Sequence, residues 1–533
     1  MQVHQWKAWA VIAVIAAAVG VVAVVVDRQF FVEEDPVLTT SPAPIAPSPV
    51  STPASTAPPS PEPTPTGETS PTETPTLTPT PVPTPTPYPG WVDPATAFQP
   101  SSGMPGLLTF RGNPTRTFYG TGPAPQAPEV LWRFTGSDER DLCSLTTWEA
   151  GTTLWCGAGW TGQPAVIEWD ERTWVIAGTY TPGVHFLDAA TGEQLLPEFV
   201  VGDLVKGSVT VDPDGYPLVY FGARDNEYRI IAFDRQEPTQ LWSMHANEVS
   251  PVLWNDDWDG ASLVLDDYLF QGGENSHFFI IKLNRGFGPD GLVTVDPEVV
   301  FSNPGWDDEL LNVVTDGNVS IEAGMTVVGN TLYFANSGGL VQGWDISGVA
   351  DGQVPERMFR YWAGDDVDAT VVSDGEGFLY VGVEYERGNA RSQELGQMLK
   401  LDPLAEDPLV WGTDLRNASI DGVWATPALT EEMVYVPTNA GFLYGLSRET
   451  GEVVWFKRLI GPVWSSPVVI DDVLMQSDCA GNIYAYDISH PTVEPPELWR
   501  MSLGGCVEAT PAVWKGVIYV ADRVGGFYAI GDR

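Results

Sequence analysis

Three short acidic clusters contain the residues best suited to bind a ligand. Each cluster lies just before a segment that reads as a short strand. Their members are Asp256, Asp257 and Asp259, then Asp307 and Asp308, then Asp366 and Asp368. Carboxylate oxygens held close together suit Ca²⁺ or a cationic ligand. None of the clusters has the EF-hand pattern, and chance clustering on the surface of so acidic a chain is the alternative interpretation.

No motif in the sequence specifies a catalytic nucleophile or a nucleotide site. The five histidines include no two at metal-ligand spacing, and GxSxG, HExxH and GxxxxGK[ST] are absent. The formal net charge is −44, with only 26 basic residues. Affinity for a phosphate backbone requires clustered Lys and Arg, so we expect no nucleic-acid partner.

The four cysteines are Cys143, Cys156, Cys479 and Cys506. An even number in a chain exposed outside the cytoplasm predicts disulfides, and three pairings are possible. Cys143 and Cys156 bracket a short insertion that would form a stapled hairpin. The remaining pair would then be Cys479 with Cys506. Metal binding is the alternative, but no CxxC or Cys/His spacing supports it.

The elements that must position these residues form a sequence repeat. Residues 422–461 read as four short strands separated by turn signals, and the unit recurs at 463–501 and, for its first three strands, at 506–530. Weaker copies begin near residues 159, 206, 259, 322 and 368. Eight units at a period of about 40 residues predict an all-β fold, an eight-bladed β-propeller.

The last unit lacks its outer strand. Glu129–Phe134, the first strand-like segment of the globular region, has the form of that missing strand. We predict that it pairs with the last blade and closes the ring, because closure leaves no unpaired sheet edge. With this register, Cys479 and Cys506 lie on one face of adjacent blades, and their Cα atoms should be about 4.4–6.8 Å apart.

In such a ring, the residues that begin the inner strands surround one mouth of the central funnel. Trp160, Lys206, Trp424, Trp464 and Glu508 are predicted to lie there, beside the acidic clusters. Aromatic side chains with a few charges at a concave opening are typical of a ligand site. Alternatively, a Trp at a fixed place in each repeat packs between neighbouring blades and has only a structural role.

The chain divides into three predicted parts: a cytoplasmic stub and transmembrane anchor (1–35), a disordered stalk rich in Pro, Thr and Ser (36–90), and the propeller (91–533). Residues 8–26 are uncharged and long enough to cross a bilayer as a helix. Lys7 precedes them and acidic residues follow, which favours a cytoplasmic N-terminus. A cleaved signal peptide is the alternative. We expect a single-pass cell-membrane protein with an extracytoplasmic head.

Residues 110–122 lead into the head and contain too many Gly, Pro and Thr residues for regular structure. They are expected to pack as a strap on the propeller. Arg111 and Arg116 stand out in this segment because the chain is so acidic. We expect both to pair with carboxylates on the head.

The repeats resemble the PQQ-type propeller repeat, in which W-x-S-P is followed by V-Y-V and by G-x-L-Y-A-L-D-x-x-T-G-x-x-x-W. The resemblance covers residues 422–533 well and recurs at 186–193. This class includes quinoprotein alcohol dehydrogenases and the lipoprotein scaffold of the outer-membrane barrel-assembly machine. The repeat therefore implies a fold rather than a function.

The resemblance to quinoprotein dehydrogenases implies adjacent cysteines against PQQ, a Trp beneath it, and Ca²⁺ held beside a catalytic Asp. This chain has no adjacent cysteines. We therefore expect a non-catalytic binding or assembly module whose partner is a protein or a cell-surface glycan. A PQQ- and calcium-dependent dehydrogenase is the alternative, with Trp424 or Trp464 stacking the quinone and the Asp clusters holding Ca²⁺.

Overall fold

The computed structural model describes residues 88–533 except 102, 137–140, 149–150, 160–161 and 418–420. In these residues eight antiparallel sheets form the blades of a β-propeller. Seven sheets have four strands, and blade 1 gains a fifth from the segment that precedes the ring. The prediction of eight blades is confirmed.

The strands of each blade run from the innermost to the outermost as follows. Blade 1 contains Gly106–Leu107, Ala165–Trp169, Arg172–Thr179, Gly183–Asp188 and Gln194–Val200; blade 2 contains Thr210–Val211, Leu218–Gly222, Glu227–Ala232 and Thr239–His245. Blade 3 contains Leu263–Leu265, Tyr268–Gly272, His277–Lys282 and Glu298–Pro304; blade 4 contains Thr326–Val328, Thr331–Phe334, Leu340–Asp345 and Glu356–Trp362. Blade 5 contains Val372–Ser373, Leu379–Gly382, Met398–Leu401 and Leu409–Thr413; blade 6 contains Ala428–Leu429, Met433–Thr438, Phe442–Ser447 and Val453–Arg458. Blade 7 contains Val468–Ile470, Val473–Ser477, Asn482–Asp487 and Glu497–Ser502; blade 8 contains Ala512–Trp514, Val517–Ala521, Phe527–Gly531 and Glu129–Phe134.

Shorter elements lie in the connections between these strands. They are the two-stranded sheets Cys143–Trp148 with Gly151–Cys156, Gly286–Phe287 with Val293–Thr294, and Glu384–Tyr385 with Asp421–Gly422. The helices are Asp308–Leu311 and Ala390–Leu395, with 3-10 turns at Pro94–Thr96, Ala246–Glu248 and Val349–Asp351.

The burial of each strand follows its position in the blade. In blade 6 the second strand, Met433–Thr438, is buried at every residue because other blades cover both faces of the sheet. The outermost strand, Val453–Arg458, has mostly exposed side chains and buries Trp455. In this blade, the alternation of buried and exposed side chains that is typical of a half-buried strand is therefore seen in the outermost strand and not in the second.

The ring closes through the strand predicted from the sequence. Glu129–Phe134 pairs antiparallel with Phe527–Gly531, and Val130 lies opposite Ile530. The indole of Trp132 stacks on Phe527 at a centroid distance of 6.1 Å and donates a hydrogen bond to the Ala189 carbonyl in blade 1. The N-terminal strand thus holds the last blade and also contacts the first.

A strap formed by residues 104–121 closes one end of the central funnel. The Val211 N–H donates to Leu108 O, the Val327 N–H to Pro114 O, and the Ser373 N–H to Thr115 O. Gly120 bridges to Val513 with φ +131°, and a side chain there would overlap the Val513 carbonyl. The strap therefore contacts blades 2, 4, 5 and 8. We call this end the strap face and the opposite end the mouth.

The two arginines of the strap correct the expectation of carboxylate pairing. Both are 0% exposed. Arg116 donates from Nε to Met325 O at 2.8 Å and from Nη1 to Phe110 O at 2.7 Å. Arg111 donates from Nη2 to Thr426 O and lies 4.8 Å from the Tyr119 ring centroid. Burial lowers the pKa of Arg111 to about 10 and that of Arg116 to about 9. Backbone carbonyls of the inner strands, rather than surface carboxylates, hold the strap.

Both predicted disulfides are present: Cys143 with Cys156 and Cys479 with Cys506. The second bridge joins blade 7 to the connection that enters blade 8. Its Cα atoms are 3.8 Å apart, closer than the separation that we expected, while the predicted register and pairing are confirmed. The bridge fixes the last two blades to each other at the mouth.

The predicted anchor and most of the predicted stalk lie outside the described residues, which begin at residue 88. Within the part of the chain that the structure describes, no helix combines the length and apolar character needed to cross a bilayer.

Candidate functional site: an acidic and aromatic pocket on the propeller axis

The connections that enter the inner strands converge at the mouth. A narrow pocket lies between the blades there; its enclosed space is ≈ 20 Å³, and the volume rises to ≈ 320 Å³ only when the open solvent at its entrance is counted. Its lining comes from the beginnings of the inner strands of blades 3 to 7 and from Phe110 of the strap. Because the strap closes the other end, the funnel is a one-ended pocket rather than a pore.

One wall of the mouth is an ion-pair cluster around Lys206. The ammonium nitrogen lies 2.7 Å from Asp259, 3.4 Å from Asp257 and 3.3 Å from Glu274, and Arg224 reaches Asp257 at 3.3 Å. Burial lowers the pKa of Lys206, but attraction to the carboxylates outweighs burial, and the pKa lies well above its ordinary value. Three carboxyls thus surround one ammonium group.

The carboxyls of this cluster titrate at unusually high pH. Burial raises the pKa of Asp259 to about 6 and those of Asp257 and Glu274 to about 7, with Lys206 opposing each shift. Asp259, Glu274 and Glu322 each offer an oxygen within 4.8 Å of the others. A metal ion at this group would have to displace the Lys206 ammonium from Asp259 and Glu274.

A second acidic group continues the wall from blade 4 into blade 5. The Ser337 hydroxyl lies 2.9 Å from Asp368 Oδ1 and 3.3 Å from Glu322 Oε1. Asp366, Asp368 and Glu384 are all buried and lie close enough to share an ion. Arg387 Nη1 lies 3.8 Å from Asp366 and donates to the Ser337 carbonyl at 2.7 Å, while Nε of the same guanidinium pairs with Asp316 at 2.9 Å. The mouth therefore carries more buried negative than positive charge.

The opposite wall is aromatic. Trp424 and Trp464 begin the inner strands of blades 6 and 7, with ring centroids 6.0 Å apart and planes inclined by 51°. Both are half-buried and both line the pocket. By contrast, Trp258, at the start of blade 3, is only 1% exposed and packs against Tyr228 and Phe279. Both interpretations of the Trp residues thus have examples: Trp258 packs between blades, whereas the other two face the pocket.

Glu508 belongs to a separate polar group on the blade 8 side. Its Oε2 accepts a hydrogen bond from Arg523 at 2.6 Å, and the Arg523 guanidinium lies over the Trp155 and Tyr180 rings. Glu508 does not line the pocket described above. Trp160 lies outside the described residues.

The structure brings only part of the predicted acidic set together. Asp257, Asp259, Asp366 and Asp368 face the mouth in the two groups described above. Asp256 instead accepts from Asn226 and Asn247. Asp307 accepts from Leu310 N at the start of the helix Asp308–Leu311 and pairs with Arg357 and Arg360, while Asp308 is the first residue of that helix. The prediction of a metal site stays a prediction.

Glu274, Ser337 and Glu384 of the acidic wall lie in a type of connection that the sequence analysis did not consider. Each lies in a connection that leaves the second strand of its blade, whereas the prediction considered only connections that enter the first. Both types of connection open on the mouth. Counting carboxylates in both types of connection would have found Glu274 and Glu384.

The lining does not fit PQQ. The quinone carries three carboxylates, whereas the described residues of the pocket lining include Glu322 and Asp368 and no Lys or Arg. Burying like charges together is strongly unfavourable.

Comparison with known proteins agrees with the fold. Residues 396–494, from blade 5 into blade 7, match the family described as "Outer membrane protein assembly factor BamB". The match covers about a fifth of the chain, so this segment is similar to the BamB family, within a chain whose described residues form an eight-bladed β-propeller. A search of curated proteins finds no match.

This chain is similar to three solved structures: the computationally designed Ika8 protein, BamB from Moraxella catarrhalis and Sqt1 from Saccharomyces cerevisiae. Ika8 is 12% identical, with 74% of this chain and 99% of that chain covered and a TM-score of 0.47. BamB is 13% identical, with 76% and 100% covered and a TM-score of 0.36. Sqt1 is 11% identical, with 76% and 99% covered and a TM-score of 0.49. Identities this low carry no information about a ligand.

Proposed function

We propose that this protein is a membrane-anchored, extracytoplasmic propeller that acts as a non-catalytic binding or assembly module, with its ligand or partner docking at the mouth. The observation that carries the proposal is the one-ended pocket on the axis. A strap seals one end, and the other opens between an acidic wall and an aromatic wall. A concave site with aromatic lining and a few fixed charges is the usual form of a binding site.

Two further features support the location and the role. Disulfides form and persist in oxidising compartments, and all four cysteines are paired. Closed rings of packed sheets are rigid, so the mouth presents a fixed shape to a partner and little binding free energy is lost in ordering it. The apolar run at residues 8–26 and the Pro/Thr-rich segment after it would tether the ring at a distance from the bilayer.

Site-specific photocrosslinking on intact cells tests the docking face. A benzophenone side chain would replace Ile460, which is 63% exposed in the connection from blade 6 to blade 7 at the mouth. The matched control replaces Leu404, which is 90% exposed between the third and fourth strands of blade 5 on the strap face. We expect a discrete crosslinked species from position 460 only. Equal crosslinking at both positions, or none at 460, would contradict mouth docking.

Protease treatment of the same cells tests the orientation. We expect external protease to release the propeller by cutting before residue 88, because the composition of that segment predicts disorder and disordered segments are the preferred sites of cleavage. A propeller protected until the cells are lysed would contradict the extracytoplasmic location. Quinone-dependent dye reduction by the purified full-length protein with PQQ and Ca²⁺ would contradict the non-catalytic role.

A further inference from the structure

A second cavity opens on the strap face, at the opposite end of the ring from the mouth. It lies between residues 91–101, the strap and the inner strands of blades 2 and 3. Its enclosed space is ≈ 290 Å³, and the volume rises to ≈ 1040 Å³ when the open solvent at its entrance is counted. The enclosed space alone is at the lower end of the range for ligand pockets.

The strap binds the inner strands of four blades through its backbone carbonyls. The pairs of donor and acceptor are Glu168 N–H with Pro105 O in blade 1, Val211 N–H with Leu108 O in blade 2, Val327 N–H with Pro114 O in blade 4, and Ser373 N–H with Thr115 O in blade 5. In blade 8 the direction is reversed, since Thr121 N–H donates to Val513 O at 3.1 Å. Among the described residues, the strap makes no backbone hydrogen bond to blade 3, and the cavity lies there.

Val264, in the inner strand of blade 3, directs its backbone N–H and C=O towards this cavity. Leu265 lies opposite Tyr268 across a two-residue turn, so Leu265 exchanges hydrogen bonds with the second strand and Val264 does not. Val264 corresponds in register to Val327 of blade 4, whose N–H donates to the strap. Val264 lines the cavity, and none of the hydrogen bonds between described residues uses its N–H or C=O.

A strand edge that faces a cavity in this way can bind an extended peptide through main-chain hydrogen bonds. A ligand carbonyl would accept from Val264 N–H, as Pro114 O accepts from Val327 N–H. A ligand N–H would donate to Val264 O, as Thr121 N–H donates to Val513 O. Blade 3 thus offers a peptide the two contacts that the strap makes with other blades.

The walls of the cavity suit a short uncharged peptide. They combine apolar side chains with hydroxyl and amide groups, among them Trp91, Leu108, Pro114, Thr96, Gln99 and Thr210. The described lining residues include no Lys or Arg. The buried Arg116 guanidinium lies behind the Thr109 hydroxyl and donates to it and to Ser262 O. Its charge disfavours a cationic group at the floor of the cavity.

The rim of the cavity is negatively charged. Asp93, Asp214 and Asp266 line it. Arg285 pairs with Asp214 at 2.9 Å and donates to the main-chain carbonyl of Asp266. The carboxylates of Asp93 and Asp266 make no ion pair with a described residue. Asp266 is exposed in the turn that follows Val264, so a basic side chain beside the bound main chain would reach its carboxylate.

The segment that precedes the head is the other peptide close to this cavity, since the chain enters its wall at Trp91. Residues 36–87 contain three Glu and no Lys or Arg. They would add negative charge to an acidic rim, which is unfavourable. Charge complementarity therefore favours a basic peptide from a partner over the chain's own segment.

We propose that the cavity on the strap face binds an extended peptide segment of a partner protein. The main chain of the peptide lies along the Val264 edge, and a flanking Lys or Arg side chain contacts Asp93 and Asp266 at the rim. This site is separate from the mouth. It would give the protein a second docking point at the other end of the ring.

Peptide pools applied to the immobilised, detergent-solubilised full-length protein test the proposal. Both pools contain short capped peptides with randomised uncharged residues, flanked by Lys in one pool and by Glu in the other. We expect the Lys pool to be retained at least about tenfold more than the Glu pool, as measured by mass spectrometry. Methylation of a backbone nitrogen in the best-retained peptide should weaken its binding at least about fivefold at one position, because it removes a main-chain donor.

Proline substitutions test whether the peptide binds this strand edge. Val264→Pro removes the N–H that faces the cavity and leaves the hydrogen bonds to the second strand, a position where a strand tolerates Pro. The matched control is Val469→Pro at the corresponding position of blade 7, which is not among the described lining residues. We expect Val264→Pro to weaken peptide binding at least about fivefold and Val469→Pro to leave it unchanged. Equal binding by the two variants would overturn the proposal.

A charge variant keeps the test decisive if the proline variant does not fold. Asp266→Asn removes the rim charge at a residue with φ +47°, a conformation that Asn tolerates. The control is Asp471→Asn, at the same place in the turn of blade 7 with φ +52°. Binding of the Lys-flanked peptide should weaken in the first variant and not in the second. Unchanged binding in Asp266→Asn would contradict the assigned rim.

The remaining outcomes separate this inference from docking at the mouth and from other occupants. Retention of neither pool, or equal retention of both, would overturn the inference, while crosslinking at position 460 would still report docking at the opposite end. Displacement of the Lys-flanked peptide by chitotriose would overturn it in favour of a saccharide. Displacement by a synthetic peptide of residues 72–87 would overturn it in favour of the chain's own segment.

Discussion

The Cys479–Cys506 bridge gives a stability prediction that can be worked from the structure. The bridge closes a segment with a sequence separation of 27 and joins blade 7 to the connection entering blade 8. In the chain-entropy treatment, a loop of that length stabilises the folded state by about 3.5 kcal/mol, because it restricts the unfolded chain. Replacing both cysteines by serine should remove this contribution.

The loss converts into a modest change in melting temperature because the propeller is large. Unfolding entropy is about 2.1 cal/mol/K per residue, which for the unit Thr84–Arg533 gives about 0.9 kcal/mol/K. The double variant should therefore melt about 4 °C lower than the wild type. Tryptophan fluorescence during heating, without reductant and in the same detergent, measures this directly.

The second disulfide is the matched control. Cys143–Cys156 has a sequence separation of 13 and ties a hairpin whose Leu145 and Leu154 are exposed. In the same chain-entropy treatment this shorter loop contributes about 2.9 kcal/mol, so removing the bridge should lower the melting temperature by about 3 °C, less than the 4 °C expected for the Cys479–Cys506 bridge. If the Cys479–Cys506 variant melted at the wild-type temperature, or if the hairpin variant were the less stable of the two, the role of the bridge between blades would be refuted.

Three further variants test the strap, a buried histidine and a helix cap. Gly120→Ala should lower the melting temperature by at least about 2 °C, because the added methyl group overlaps Val513 O. Gly151→Ala is the control, since Gly151 has a similar φ but lies in open space, and it should lower the melting temperature less. Equal effects of the two substitutions would contradict the steric explanation. Burial lowers the pKa of His185 to about 3, so below pH 6.5 the unfolded chain binds a proton that the folded chain does not. The free energy of unfolding of the wild type should therefore fall by about 1.4 kcal/mol per pH unit relative to that of His185→Gln. Parallel pH profiles of the two proteins would contradict this. Hydrogen bonds from Arg360 lower the pKa of Asp307, so the Asp307 carboxylate stabilises the folded state above about pH 4 and this stabilisation is lost at lower pH. The difference in melting temperature between the wild type and Asp307→Asn should therefore become smaller on acidification. A difference that does not change with pH would contradict the assignment.

The sequence alone determined the ring because the features that specify it are local. Turn residues and the alternation of short strands recur at a fixed period, and each unit can bury its faces only against copies of itself. The missing outer strand of the last unit therefore had to come from elsewhere, and Glu129–Phe134 was a suitable segment. The same register placed Cys479 beside Cys506, since both positions follow from counting strands.

The tertiary structure alone decided which side chains share the pocket. Asp307 and Asp368 look equivalent in sequence, but Asp307 lies within reach of Arg357 and Arg360 on the outer strand of blade 4, while Asp368 faces the funnel beside Ser337. Nothing in the sequence around Arg111 indicated that its guanidinium would donate to a backbone carbonyl at the start of an inner strand and not to a carboxylate. Contacts between blades depend on side-chain direction and on partners distant in the chain. Local periodicity fixes where a residue lies along its blade, and the closed ring determines what it contacts.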